Sequence, residues 1–258
     1  MTRIYSFLFA ILIVISISSS HASANKTLSA KSREILELGQ NLGIEGQAEV
    51  AQKKILKSPR PKIVTAILDG LRAGGEWAIA AGRVATSIAV KEVVPELEKS
   101  IEREPNNWQV ILAVNALAND EQKKSIAPLW LKKMPSFSNP TKVAVIESLA
   151  RWSYPFSNSE FESGVKDASF DVRLAIVRQF FVTRYLLSVE QQTARYRTIF
   201  SLQPYQARLE GMIEFQLLSE KDHAALKKAV DEPFAKACKS EKNSEVKIEC
   251  EKLLKETK

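Results

Sequence analysis

The residues able to do chemistry are few. The chain holds two histidines, His21 and His223, and two cysteines, Cys238 and Cys250. A Ser-His-Asp or Cys-His arrangement would have to run through His223, yet there is no Gly-x-Ser-x-Gly elbow and neither cysteine sits in a nucleophile signature. Zinc sites recruit more His and Cys than this, so no metal is expected. Gly70-x-x-x-Gly74-Gly75 lacks the Lys-Ser/Thr of a phosphate loop and reads as a helix end. Neighbouring acids such as Glu96 and Glu98, or Glu241 and Glu245, are ordinary on a solvated helix and do not mark a glycosidase. No catalytic residue and no cofactor are expected, and a non-catalytic protein is favoured over an enzyme.

One reaction that remains is oxidation of the cysteines, and that depends on compartment. Residues 1–24 join Arg3, an apolar run from Phe7 through Val14 to Ile17, polar Ser18-Ser19-Ser20 and small Ala22-Ser23-Ala24. This is the pattern of a signal peptide cleaved after Ala24. The apolar core is shorter than the ~20 residues that span a bilayer, which disfavours an uncleaved anchor. Removal of Arg3 leaves 36 basic and 30 acidic residues, a charge of +6. A periplasmic or secreted address follows, where anionic glycan or lipid is a nearer partner than nucleic acid. In an oxidising compartment Cys238 and Cys250 pair across the polar turn 239–244, in preference to two free buried thiols.

The elements that position these residues are helical. Period-two alternation is scarce after residue 25, whereas helical spacing is nearly continuous. Over 170–185, Val172, Ala175, Ile176, Phe180 and Val182 share an apolar sector opposite Asp171, Arg173, Arg178, Gln179 and Arg184. Similar segments fall at 29–39, 45–57, 60–73, 76–89, 92–103, 106–118, 121–134, 140–152, 158–167, 188–200, 203–218, 221–238 and 244–256, which makes fourteen helices or seven pairs. Residues 25–258 read as one domain of about 33 residues per pair. Gly74-Gly75, Pro105-Asn106-Asn107, Ser138-Asn139-Pro140, Tyr154-Pro155 and Gln203-Pro204 stop the helices at short connections. Hairpins this thin must stack on one another to bury their apolar faces.

The repeat has a grammar. One helix reads apolar-Pro-x-Leu, as in Val93-Val94-Pro95-Glu96-Leu97 and the looser Ile126-Ala127-Pro128-Leu129. The next opens on an apolar residue, often followed by a cation: Val172-Arg173, Ala207-Arg208, Val246-Lys247. Opening residues at Val110, Val143, Val172, Ala207 and Val246 give intervals of 33, 29, 35 and 39. With Asp167-x-x-x-x-Val172-Arg173 and the Glu104-Pro105-Asn106 turn, the chain resembles the HEAT-like repeats of phycobilisome-lyase-related proteins. The match is sharp over Val93 to Leu117 and Asp167 to Phe180. The resemblance implies a right-handed α-solenoid of the HEAT/armadillo kind with about seven stacked hairpins, and it keeps a lyase-type enzyme as an alternative. Ile111 and Ala144 stand where a cation would follow Val110 and Val143, so an Asp-Arg ladder is expected to be interrupted there. The ankyrin Thr-Pro-Leu-His turn is absent.

The remaining candidates are surfaces. Lys53, Lys54, Lys57, Arg60 and Lys62 form a basic stretch, and Arg173, Arg178, Arg184, Arg195, Arg197 and Arg208 gather later. Arg173 and Arg208 are expected to brace a neighbouring turn, while Arg178 is placed on an exposed face. Trp77 and Trp108, 31 residues apart, would be brought side by side by stacking. Trp152-Ser153-Tyr154-Pro155-Phe156 either tucks under helices or forms an adhesive lip. Aromatic and arginine side chains are the usual interface anchors. Trp77, Trp108, Trp152, Tyr154 and Arg178 are therefore the candidates for binding a protein partner in the envelope or outside the cell. On this reading the chain is a scaffold, monomeric outside its complex, that regulates or protects an envelope enzyme; an anionic cell-wall or lipid surface is the alternative ligand.

Overall fold

Helix starts are written locally. Asn119 with Gln122, Ser157 with Glu160 and Ser188 with Gln191 form reciprocal capping boxes. Pro61, Pro95 and Pro140 occupy first turns, where no backbone donor is missed. A computed structural model describes residues 28–203, 205–218 and 220–256. Residues 1–24, read above as a signal peptide cleaved after Ala24, lie outside the described residues.

Fourteen α-helices, and no strand, occur among the described residues: α1 (Ala30–Asn41), α2 (Ala48–Ile55), α3 (Arg60–Ala73), α4 (Gly75–Ser87), α5 (Val94–Arg103), α6 (Trp108–Leu117), α7 (Asp120–Lys133), α8 (Asn139–Arg151), α9 (Asn158–Gly164), α10 (Phe170–Thr183), α11 (Val189–Phe200), α12 (Tyr205–Gln216), α13 (Glu220–Ser240) and α14 (Ser244–Glu256). Each expected segment corresponds to one of them. Gly74 and Gly75, at φ +79° and +54°, form the break between α3 and α4. The Gly75 amide donates to the Glu104 carboxylate at 2.9 and 3.0 Å, and a Cβ on Gly74 would collide with that carboxylate. Cys238 and Cys250 are both buried, with Cα atoms 5.4 Å apart and sulfurs at disulfide distance. Closing so short a loop contributes about 3 kcal/mol.

The even-numbered helices form a row in which α4 packs on α6, α6 on α8, α8 on α10, α10 on α12 and α12 on α14. Their buried faces repeat. Thr141, Ala144, Val145, Ile146, Ser148 and Leu149 of α8 recur 31 residues on as Val172, Ala175, Ile176, Val177, Gln179 and Phe180 of α10. Thirty-one residues earlier, Val110, Ala113, Val114 and Leu117 do the same in α6. Thirty-five residues after α10, Ala207, Gly211, Met212 and Phe215 do so in α12. Ion pairs follow the same interval: Arg60 to Glu92, Lys133 to Glu102, Arg178 to Glu210, Arg184 to Glu214 and Arg208 to Glu241 span 30 to 33 residues.

This register corrects the opening residue of α8, which is fully buried Thr141 and not half-exposed Val143. The interval from Val110 to Thr141 is 31, as is that from Thr141 to Val172. The fourth residue of α8 is then Lys142, so α8, α10, α12 and α14 carry Lys142, Arg173, Arg208 and Lys247 at one position. The interruption expected at Ala144 does not occur, and the series begins one helix earlier. Val182 is likewise displaced from the buried sector: it is 52% exposed, and Thr183 takes the core position.

Arg173 and Arg208 brace the turns, as expected. Arg173 Nη1 donates to the Asp167 and Ala168 carbonyls at 2.5 and 3.0 Å, and Arg208 Nη1 to those of Leu202 and Gln203 at 2.5 and 3.0 Å. Lys142 Nζ reaches Asp167 Oδ2 at 2.8 Å across to the next repeat. Arg208 grips the Glu241 carboxylate with two donors at 2.7 Å, and the Lys242 and Asn243 amides donate to the same group.

The Arg208 fork and those two amides hold the Glu241 carboxyl below its ordinary range. Burial opposes ionisation of Asp167, but the Lys142 ammonium, the Ser169 amide and the Arg173 charge outweigh it and also lower that carboxyl. A depressed folded-state value gives stability that is complete above about pH 5 and lost as the pH falls through the folded value. Glu241→Gln leaves the Arg208 charge partly buried without its partner and should cost about 3 kcal/mol at pH 7. It should also flatten the loss of stability between about pH 5 and 3. Urea denaturation of both chains across that range measures both effects.

Candidate functional site

The exposed side of the even row is a surface that runs along successive helices. In the register set by the buried faces, Ile79, Leu112, Val143, Leu174, Leu209 and Ile248 fall at one position, one aliphatic side chain per helix from α4 to α14. The first five are half-buried, and Ile248 is 57% exposed. The first residue of α6, α10 and α12 is aromatic: Trp108, Phe170 and Tyr205. Trp108 and Phe170 are exposed by 39% and 37%.

At its N-terminal end this surface closes into a groove. Helix α1 packs directly on α4, an approach that Gly39 permits because a Cβ there would meet Val84 Cγ2 at 2.7 Å. The short α2 packs on α1 and stands beside the row without joining it. Between α2 and the α4/α6 pair lies a groove of about 560 Å³, walled by Gln52, Arg83, Thr86, Trp108, Gln109 and Leu112. Its floor is low because Gly82 has no side chain and its neighbour across the helix contact is Ala113, 3.3 Å from where a Gly82 Cβ would stand. Gln52 Nε2 ties α2 to α4 through the Ser87 carbonyl at 2.6 Å. Arg83 lies flat against Gly43 and donates from Nη1 to the Gln40 carbonyl at 3.2 Å, at the C-terminal end of α1. Arg83 is in no ion pair among the described residues.

The sequence-derived candidates distribute as follows. Trp108 lines the groove, whereas Trp77 is half-buried against the core and lies outside the lining. Burial aligns Trp77 with Val110, so the 31-residue spacing of the two tryptophans is not the repeat register at this joint. Arg178 is exposed, but its guanidinium is committed to Glu210 by three hydrogen bonds of 2.6 to 3.2 Å. That pairing raises its already high pKa. Among the basic residues, Lys53 pairs with Glu49 and Arg60 with Glu92. Lys54, Lys57 and Lys62 are exposed and form no ion pair among the described residues. Phe170, Tyr205 and the groove escape sequence reasoning, although the aromatics were there to be seen two residues before the opening residues Val110, Val172 and Ala207.

The 152–156 connection tucks in. Phe156 is 1% exposed, and the half-buried Trp152 ring stacks on Trp130 at 5.0 Å between centroids. Half-buried Tyr154 packs on the core. Two buried polar side chains pin the connection: Gln179 Nε2 donates to the Tyr154 carbonyl at 2.6 Å, and Arg195 Nη2 to that of Phe156 at 2.5 Å. Arg195 is 2% exposed, lies 4.8 and 5.8 Å from the Phe161 and Phe180 ring centres, and leaves Nε and Nη1 without partners. Burial lowers its pKa. It is the most deeply placed charge among the described residues.

No group of three or more His, Cys, Asp or Glu among the described residues is arranged to hold a metal ion. No helix among them is long and apolar enough to cross a membrane. No protein-family model, curated protein or solved structure matches the chain.

Arg195 should discriminate charge from packing. Arg195→Ala opens a cavity beneath the 152–158 connection and orphans the Phe156 carbonyl, at a cost of about 3 kcal/mol. Arg195→Met orphans the same carbonyl but fills the space and removes a buried charge, and should remain within about 1.5 kcal/mol of the original. Denaturation midpoints, with hydrogen exchange at residues 153–158, read the difference.

Proposed function

We propose that the chain is an exported right-handed HEAT-like α-solenoid that binds a protein partner across the exposed side of its even-numbered helices, without catalysis of its own. The observation that carries this reading is the aliphatic row from Ile79 to Ile248, one side chain per helix, edged by exposed Trp108 and Phe170. A row of this kind offers a long, shallow apolar contact on a framework whose helices are individually braced. Apolar area flanked by aromatic residues is where interface energy concentrates. Alternate-helix packing and ion pairs at 30 to 33 residues support the solenoid reading. The leader over 1–24 and a cysteine pair at disulfide distance support a periplasmic or secreted address. The part played in the envelope is that of a regulator or protective partner of an enzyme there, with the free chain monomeric.

A second reading is favoured by Lys54, Lys57 and Lys62, which are exposed and form no ion pair among the described residues. On that reading the ligand is anionic glycan or lipid. Salt separates the two, because contacts between exposed charges are screened and apolar burial is not.

Capture from an envelope extract with residues 25–258 is expected to retain one protein in stoichiometric amount at high salt. Leu174→Asp, which breaks the aliphatic row at a half-buried position, should abolish that retention. Recovery of wall polymer or lipid alone, lost at high salt, would contradict the protein-binding reading.

A further inference from the structure

We propose that the groove between α2 and the α4/α6 pair seats a segment of the partner polypeptide in which a large apolar side chain is flanked by carboxylates. This rests on the reading of the chain as a protein-binding scaffold and specifies what that surface recognises.

The apolar half of the assignment comes from the walls and floor. Exposed Trp108 and half-exposed Leu112 form one side, and the absent side chain of Gly82 with the small one of Ala113 leaves depth for an anchor. A volume of about 560 Å³ holds more than one side chain. The acidic half comes from charge. Arg83 is half-buried at the wall, uses one of its five donors on the Gln40 carbonyl and is in no ion pair among the described residues. Its planar fork suits a carboxylate. Glu49, the acid of the lining, is neutralised by Lys53 at 2.5 Å. With Glu49 offset by Lys53, the lining keeps one uncompensated charge, the Arg83 guanidinium, so the groove is net positive. A polypeptide is favoured over a free amphiphile because the groove is continuous with the aliphatic row: Leu112 belongs to both, and a chain leaving the groove continues onto Val143 and Leu174.

The test uses the full chain labelled with ¹⁵N, the Trp108 indole signal being assigned by its loss in Trp108→Phe. Three probes are titrated: acetyl-Glu-Glu-Leu-Phe-Glu-Glu-amide, the same peptide with every Glu replaced by Gln, and dodecanoate. The acidic peptide is expected to shift the Trp108 signal and the glutamine peptide to bind about tenfold more weakly, the worth of one charge-assisted contact. Arg83→Gln should reproduce that loss. Because Arg83 also braces the end of α1, Thr86→Glu supplies an independent variant: it places a carboxylate on the exposed groove wall and should weaken the acidic peptide by about tenfold while leaving the denaturation midpoint unchanged. Equal binding of the two peptides, a Trp108 signal unmoved by the acidic peptide, or a shift produced by dodecanoate alone would overturn the assignment. Capture of a partner that is unaffected by Thr86→Glu would overturn it too, and would leave the scaffold reading intact. Charge-dependent peptide binding with no partner captured would uphold the groove and count against that reading.

Discussion

The structure depends on the lateral packing of one buried helix face on its copy about 31 to 35 residues later. A single hairpin of this chain is two helices thick and cannot enclose a core. The face that opens with Val110 in α6, Thr141 in α8, Val172 in α10 and Ala207 in α12 is buried because the next helix of the row covers it. Interior packing is dense, so small residues decide how near the helices come. Gly82 of α4 against Ala113 of α6 is one such joint, and Gly39 of α1 against α4 is another. The second joint uses the surface of α4 on which α2 could otherwise have packed, and the groove follows from it.

Polar groups hold the joints in angle and register. The cation at the fourth position of α10 and α12 stands where a turn presents carbonyl oxygens, and that of α8 faces a carboxylate. Arg173 and Arg208 reach carbonyls at the same two separations behind them. The acidic partner comes from the following repeat, as Asp167 does for Lys142 and Glu241 for Arg208. A deeper version is Arg195, whose charge rests on a carbonyl and two aromatic faces and fixes the path of the connection from α8 to α9. Such contacts select one stacking register more than they add stability. A slip of one residue would take every fork away from its carbonyl.

Helix boundaries were legible because they are local: Gly74-Gly75, the prolines and the Ser and Asn caps state them within a few residues. Register was less so. A buried threonine at 141 looks polar and Val143 looks like the core residue, so reading hydrophobicity alone shifts α8 by two residues and hides Lys142. The braces at Arg173 and Arg208 were legible, since apolar-cation pairs recur at helix openings. Arg178 was placed correctly at the surface, but its partner Glu210 lies 32 residues away and no local pattern announces it. The groove was not legible at all, because it arises from which helix α1 packs against, and that is decided by close approach at Gly39.

The most direct measurement is a cross-link at one joint of the row. Gly82 and Ala113 face each other so closely that a Cβ on Gly82 would stand 3.3 Å from that of Ala113, near the separation that a disulfide requires. In the chain carrying both Gly82→Cys and Ala113→Cys, mild oxidation should join the two introduced thiols within one molecule. The product is detected as a linked peptide pair spanning positions 82 and 113, with the native pair of Cys238 and Cys250 retained. Formation of the bond with the denaturation midpoint undiminished is the expected result. Two introduced thiols that stay free in the folded chain, while Gly82→Cys bonds readily to Ala116→Cys one turn along, would contradict the register on which the row, the braces and the groove all depend.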